Sequence, residues 1–270
     1  MTQTTTQRPP SPDFLAQHLR EVPPFRALIR AIECRLFAEL GELQHPVLDL
    51  GCGDGHFASV AFREALDTGI DLDERSIQEA QLRKAHGIVV RASATAIPAG
   101  DGAFATVVSN CVVEHIPDLA GTLSEVKRVL RPGGLFAFGV PSHRFADLLL
   151  GSTLLHEVGL DRLGDRYGRW FNTHSRHFHT YHPNTWLRLL DAHGFGDIQW
   201  QYYMNAAGHR AFDVAHYVSV PNLLAYKLTG SWVPWQVPSV EKWIDRWLRP
   251  YYESEAPDDG GYIFFACRKH

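Results

Sequence analysis

The sequence predicts an α/β fold, a mostly parallel sheet with helices on both faces. Three observations predict it. Short apolar runs alternate with helical patterns between residues 46 and 140. The first run ends in a glycine-rich turn, Asp49-Leu50-Gly51-Cys52-Gly53-Asp54-Gly55. An acid, Asp71, closes the second run about 20 residues after Gly51.

Each element follows in order. Residues 1–12, polar and proline-bearing, are expected as a disordered tail, and 13–270 as a single domain. Apolar residues recur at helical spacing over 14–40, at Phe25, Leu28, Ile29, Ile32, Leu36 and Phe37. Pro23-Pro24 marks the start of the second part of that stretch. Strands are expected at 46–50, 68–72, 87–91, 104–109 and 135–140, and helices at 56–66, 74–84 and 119–130. Arg131-Pro132-Gly133-Gly134 stops the last of these helices. Beyond Pro141 the rhythm breaks. Two irregular, aromatic stretches at about 142–181 and 204–258 read as lid insertions around a helix at 183–192 and a strand at 198–203. A final strand falls at 261–267.

Composition narrows the function. The 270 residues are 45% hydrophobic and 21% charged, ordinary for a globular protein. The net charge of −4, without a basic run, argues against a nucleic-acid partner. No stretch reaches membrane-span length, and no apolar signal core opens the chain, so a reducing cytoplasm is the expected home. The cysteines Cys34, Cys52, Cys111 and Cys267 form no CxxC pair.

A strand, a Gly-x-Gly-x-Gly turn and a helix make a nucleotide-binding arrangement at a strand's carboxyl end. Two ligands compete. A dinucleotide such as NAD requires a third glycine where His56 stands, and Asp54 sets a negative charge beside its pyrophosphate. S-adenosylmethionine has no phosphate and carries an ammonium and a sulfonium, so Asp49 and Asp54 suit it better. Asp71 is placed to accept ribose hydroxyls, while Asp73 caps the following helix. A non-catalytic binding protein of the same fold remains an alternative.

The motifs of residues 47–142 resemble those of class I S-adenosylmethionine-dependent methyltransferases, the type 11 group in particular. Residues 47–57 resemble the first motif, 68–73 the second, 94–104 the third, 109–118 the fourth and 126–134 the fifth. The resemblance implies a Rossmann-like seven-stranded sheet with an antiparallel last strand. It implies S-adenosyl-L-methionine as methyl donor, held by Asp49, Gly51, Cys52, Gly53, Gly55, Asp71, Leu72 and Asn110. The acid usual at the adenine amine is Ser93 here, so Ser93 and Ala94 are placed at the adenine. A second departure is Ala105, where an aspartate is usual.

Methyl transfer needs alignment first, and a base only for a protonated nucleophile. His115 is one candidate base; the alternative is that Glu114 and His115 only cap the next helix. The resemblance implies that the stretch before the helix at 183 lies over the active-site mouth, so His179 and Tyr181, with His177, are candidates to contact acceptor; alternate residues of an extended segment share a face, which groups the three. The alternative is a packed, hydrogen-bonded loop. The four histidines of 172–182 match no zinc spacing and have no acid or cysteine among them, so no metal is expected. The aromatic 204–258 stretch is expected to form the lid's own core, with Trp243, Trp247 and Tyr251 on one inward helix face; a peripheral membrane patch is the alternative. The acceptor is expected to be a small or lipid-like molecule.

Overall fold

Residues 12–270 are described in a computed structural model; the tail expected at residues 1–12 lies outside them except for Pro12. Seven strands form one sheet: β1 (Val47–Leu50), β2 (Leu66–Asp71), β3 (His86–Arg91), β4 (Phe104–Asn110), β5 (Leu130–Pro141), β6 (Phe195–Tyr203) and β7 (Tyr262–Lys269). Their order is β3-β2-β1-β4-β5-β7-β6. The pairs from β3 through β5 are parallel, and β7 runs antiparallel to both β5 and β6. The predicted seven-stranded sheet with an antiparallel last strand is therefore present. Strand order reverses between β1 and β4, and in open α/β sheets ligands bind at such a switch point, outside the carboxyl ends.

Among the described residues the helices are α1 (Phe14–Leu19), α2 (Pro24–Glu39), α3 (His56–Ala61), α4 (Glu74–Arg83), α5 (Leu119–Val129), α6 (Leu150–Glu157), α7 (Asp161–His174), α8 (Pro183–Ala192), α9 (Ala206–Val218), α10 (Val220–Thr229) and α11 (Pro238–Tyr252). The sheet has a core on each face because successive strand residues point to opposite sides. Val47, Val108, Ala137 and Phe264 pack with α1, α2, α9 and α11. Leu48, Val107, Phe136 and Phe265 pack with α5 and α8. Every residue of β1 and β4 is buried, as central strands covered on both sides must be.

The structure departs from the sequence reading in three places. The helix expected at 56–66 ends at Ala61, where Phe62 turns extended, and Leu66 opens β2 beside His86. β5 begins at Leu130, the last residue of the expected helix, and runs through the Arg131–Gly134 segment read as its stop, because Leu130 pairs with Phe104. Neither insertion is irregular: α6 and α7 occupy the first, and α9, α10 and α11 the second. Only Gly164, Gly168 and Phe171 are buried on α7, and nothing on α10.

Candidate active site

The glycine turn leaves β1 through three left-handed residues, Gly51 (φ 78°), Gly53 (φ 53°) and Gly55 (φ 74°). A Cβ at Gly51 collides with the side chain of Val112, so the turn is pressed against the segment that follows β4. A Cβ at Gly53 meets nothing within 4 Å. That is the open side on which a ligand can approach backbone. Cys52 turns beneath, packed with His86 over Gly69. Asp49 is buried, and its Oδ2 lies 2.9 Å from His86 Nε2, so its charge has a partner under the turn. His56 is buried too: its Nε2 stands 2.9 Å from His18 Nδ1, which docks α1 onto the turn.

Asp71 ends β2 beside the turn. Its carboxylate accepts the N–H of Gly53 and that of Asp73, each at 2.9 Å. Four lone-pair directions of a carboxylate leave capacity for ribose hydroxyls. Asp73, as expected, caps α4 by accepting the N–H of Ser76 at 2.8 Å. Leu72 is 63% exposed, an apolar side chain with no protein cover. Ala92 donates its N–H to Asp71 O at 2.9 Å, which brings Ser93 and Ala94 alongside. The Ser93 hydroxyl is paired with Thr95 Oγ1 at 2.8 Å, leaving the backbone as its contribution to a base edge.

Asn110 ends β4 on the other side of the switch point. Its side chain is buried, yet neither Oδ1 nor Nδ2 has a partner. An unpaired buried amide costs about 1–3 kcal/mol, and a ligand with a carboxylate and an ammonium relieves it. The next residue, Cys111, is left-handed at φ 52°. Below them lies a polar cluster that the sequence did not reveal. Arg30 Nη1 donates to Glu33 Oε2 at 3.2 Å and to Asn110 O at 3.1 Å. The Tyr203 hydroxyl donates to Glu33 Oε1 at 2.8 Å, and the Cys111 thiol donates to the same oxygen at 2.9 Å. The signal was present in α2: Glu33 interrupts the apolar stripe between Ile29 and Phe37. Gly139 on β5 leaves the room this cluster occupies, since a Cβ there stands 3.0 Å from the Tyr203 hydroxyl.

Glu114 and His115 form a 3-10 turn and do not cap α5, whose N-cap is Asp118. Glu114 is buried, which pushes its carboxyl up to about 8, and its Oε2 has no partner. His115 donates from Nδ1 to Arg176 O at 3.1 Å, which leaves Nε2 free; burial lowers its pKa, so the ring is neutral. The three aligned candidates of 177–181 separate. His179 uses both nitrogens, on Ile116 O at 2.8 Å and the Tyr181 hydroxyl at 3.0 Å. His177 instead faces His115, with ring centroids 5.3 Å apart.

α10 is held across the edge of this region by two guanidinium–aromatic stacks. Arg75 of α4 lies 5.2 Å over Tyr226, and Arg26 of α2 lies 5.1 Å over Trp232. The two rings stack on each other at 4.4 Å. The expected inward face of α11 holds in part. Trp247 and Tyr251 are half-buried and pack against the core beside the buried Leu248 and Tyr252, whereas Trp243 is 60% exposed. No helix among the described residues is long and apolar enough to cross a membrane.

Comparison with known proteins finds methyltransferases. A family model described as a methyltransferase domain matches residues 48–138. An uncharacterized methyltransferase of Mycobacterium sp. (strain JLS) is 37% identical over 126 residues, 46% of this chain and 49% of the relative. The chain thus spans about half the length of that relative. A ubiquinone biosynthesis O-methyltransferase of Chromobacterium violaceum is 29% identical over 170 residues, 59% of this chain and 72% of the relative. A solved SAM-dependent methyltransferase of Thermotoga maritima, described as a possible histamine N-methyltransferase, shares the fold. Its TM-score is 0.56 at 14% identity, over 95% of this chain and 93% of that one. The segment matched by the family model contains the turn, Asp71, Asn110 and His115.

Proposed function

We propose, from the premise that this chain carries a class I S-adenosylmethionine-dependent methyltransferase domain, that it transfers a methyl group from S-adenosylmethionine to a small or lipid-like acceptor. The observation that carries the reading is the orphaned Asn110 amide, set across the switch point from the open Gly53 and the Asp71 carboxylate. When bound, S-adenosylmethionine supplies a methyl carbon activated by positive sulfur.

The chain's own residues then bind and align. Asp71 accepts ribose hydroxyls, Leu72 covers the adenine, and Ser93 and Ala94 line its edge. Gly51, Cys52, Gly53 and Gly55 shape the turn on which the methionine end rests. Asn110 meets that end, and Asp49, paired with His86, keeps negative charge beneath it. His115 is the base for an acceptor that arrives protonated, because its Nε2 is free and its ring neutral. His179 and Tyr181 hold the segment over the acceptor side through their mutual hydrogen bond. The helical insertions act as a lid. The relative named for O-methylation in ubiquinone biosynthesis supports an oxygen nucleophile.

The test is incubation with methyl-labelled S-adenosylmethionine and a panel of phenols, quinols and acyl compounds. Label is expected in an organic-extractable product. Label fixed specifically in a protein or nucleic acid overturns the acceptor class. Tight binding of NADH with none of S-adenosylhomocysteine overturns the cofactor.

A further inference from the structure

The histidine-rich segment 172–182 contains no acid or cysteine, but folding supplies an acid from the end of β4. Glu114, His115 and His177 each bring one ligand atom to within 4.8 Å of the others. We infer that these three side chains bind one divalent first-row transition ion of the zinc class, through two imidazole nitrogens and a carboxylate oxygen.

Three features support the inference. The first is the orientation of the rings. His115 Nδ1 donates to Arg176 O at 3.1 Å, and His177 Nδ1 donates to Asn172 Oδ1 at 3.2 Å. Metal-binding histidines are ordinarily held in this way, with one nitrogen on an oxygen acceptor and the other presenting its lone pair. Arg176 supplies its carbonyl from a left-handed backbone, φ 55°, a conformation that costs a non-glycine residue about 1–2 kcal/mol. The second is the unpaired oxygen. Glu114 is 1% exposed and its Oε2 has no hydrogen-bond partner, so a bound cation would satisfy a buried oxygen that the protein leaves unpaired. The third is spacing. Ligands about 2.1 Å from a tetrahedral zinc lie about 3.4 Å apart. Glu114 Oε1 and His115 Nε2 stand at 3.7 Å, and with all three atoms within 4.8 Å of one another the widest gap must close by at most about 1.4 Å when the ion binds.

Donor chemistry selects the ion. Two imidazoles disfavour magnesium and calcium, which prefer oxygen sets. The nearby Cys111 thiol is engaged by Glu33, so the set is nitrogen and oxygen without sulfur. Three protein ligands leave a coordination position open, as catalytic sites do and structural sites do not. With the ion bound, His115 Nε2 is a ligand and not a base. Binding itself requires no methyl transfer.

The test uses the full chain after chelator treatment, titrated with cobalt(II) and followed by its visible d–d absorption, with zinc in competition. One equivalent is expected, without a thiolate charge-transfer band. His115→Asn and His177→Asn are each expected to weaken uptake by at least about 100-fold. His174→Asn, in the same segment but outside the triad, is expected to leave it unchanged. No stoichiometric uptake, a thiolate band, or uptake unaltered in both triad variants overturns the inference. Thermal melts confirm that each variant folds. Calorimetry with S-adenosylhomocysteine on the same samples reports the cofactor site separately, so either reading can fail alone.

Discussion

The carboxylate of Asp71 accepts the backbone N–H of Gly53 at 2.9 Å, tying the end of β2 to the middle of the glycine turn. The same carboxylate accepts from Asp73 at 2.9 Å. It therefore organises the loop and offers its remaining lone pairs to a ligand. Asp71→Ala removes both roles. Charge-assisted hydrogen bonds contribute about 1.5–3 kcal/mol each, so S-adenosylhomocysteine should bind roughly 10- to 100-fold more weakly by calorimetry. A variant that binds as tightly as the parent removes Asp71 from the site.

Gly51 and Gly53 separate folding from binding. Both are left-handed, but only Gly51 has Val112 against it. Gly51→Ala adds a clash to the strain and should cost more than 2 kcal/mol, beyond the ~1–2 kcal/mol of backbone alone. Gly53→Ala should cost only that backbone strain, because its Cβ enters open space. That space is where the ligand is proposed to rest, so Gly53→Ala should stay folded and lose S-adenosylhomocysteine binding. Urea denaturation and calorimetry on the two variants check the pair; equal loss of stability with binding intact in Gly53→Ala contradicts it.

Asn110 trades stability for binding. Its amide is buried with both polar atoms unpaired. Asn110→Leu, close in size and without the orphaned dipole, should leave the melting temperature unchanged or higher, while weakening S-adenosylhomocysteine about tenfold or more. A large drop in stability shows that the amide is structurally satisfied.

The half of the fold that carries the proposed cofactor residues was legible because each signal there is local. A buried run, three glycines and an acid at strand end occupy 25 consecutive positions from Val47 to Asp71. The proposed acceptor side was not legible, because it is assembled by contacts between distant segments. His177 meets His115 only when the insertion folds back on the end of β4. Glu33 looked like one polar residue on a core helix, and its partners Cys111 and Tyr203 lie on other elements. The helices of the insertions are a different case. α10 carries apolar residues at helical spacing, Val220, Leu223, Leu224 and Leu228, but all are exposed, so no core contact accounts for the pattern.

Two buried histidines set a pH dependence of stability. Burial holds His18 down to about 2 and His209 down to about 3. Both are neutral in the folded chain, whereas an unfolded histidine takes up a proton near pH 6.5. Stability from these groups is complete above about pH 6.5 and is lost as pH falls below it. Each proton contributes at most about 1.36 kcal/mol per pH unit. Denaturation at pH 7, 6 and 5 should show falling stability, and His209→Asn should flatten the slope by close to one proton. A profile that stays level to pH 5 in the parent disproves this account.

α10 is predicted to act on ligand exchange and not on folding. Val220, Leu223, Leu224 and Leu228 recur at helical spacing and are all exposed, Leu228 by 85%. Leu228→Glu should therefore change stability by less than about 0.5 kcal/mol. The helix is tethered through Tyr226 and Trp232 to Arg75 and Arg26. Exposed cation–aromatic pairs contribute about 0.5–1 kcal/mol. Arg75→Ala should thus raise the dissociation rate of S-adenosylhomocysteine roughly two- to fivefold at an unchanged melting temperature. Stopped-flow displacement measures that rate. An unchanged rate would show that α10 does not gate the cofactor. A lower melting temperature would show that the contact belongs to the folded core.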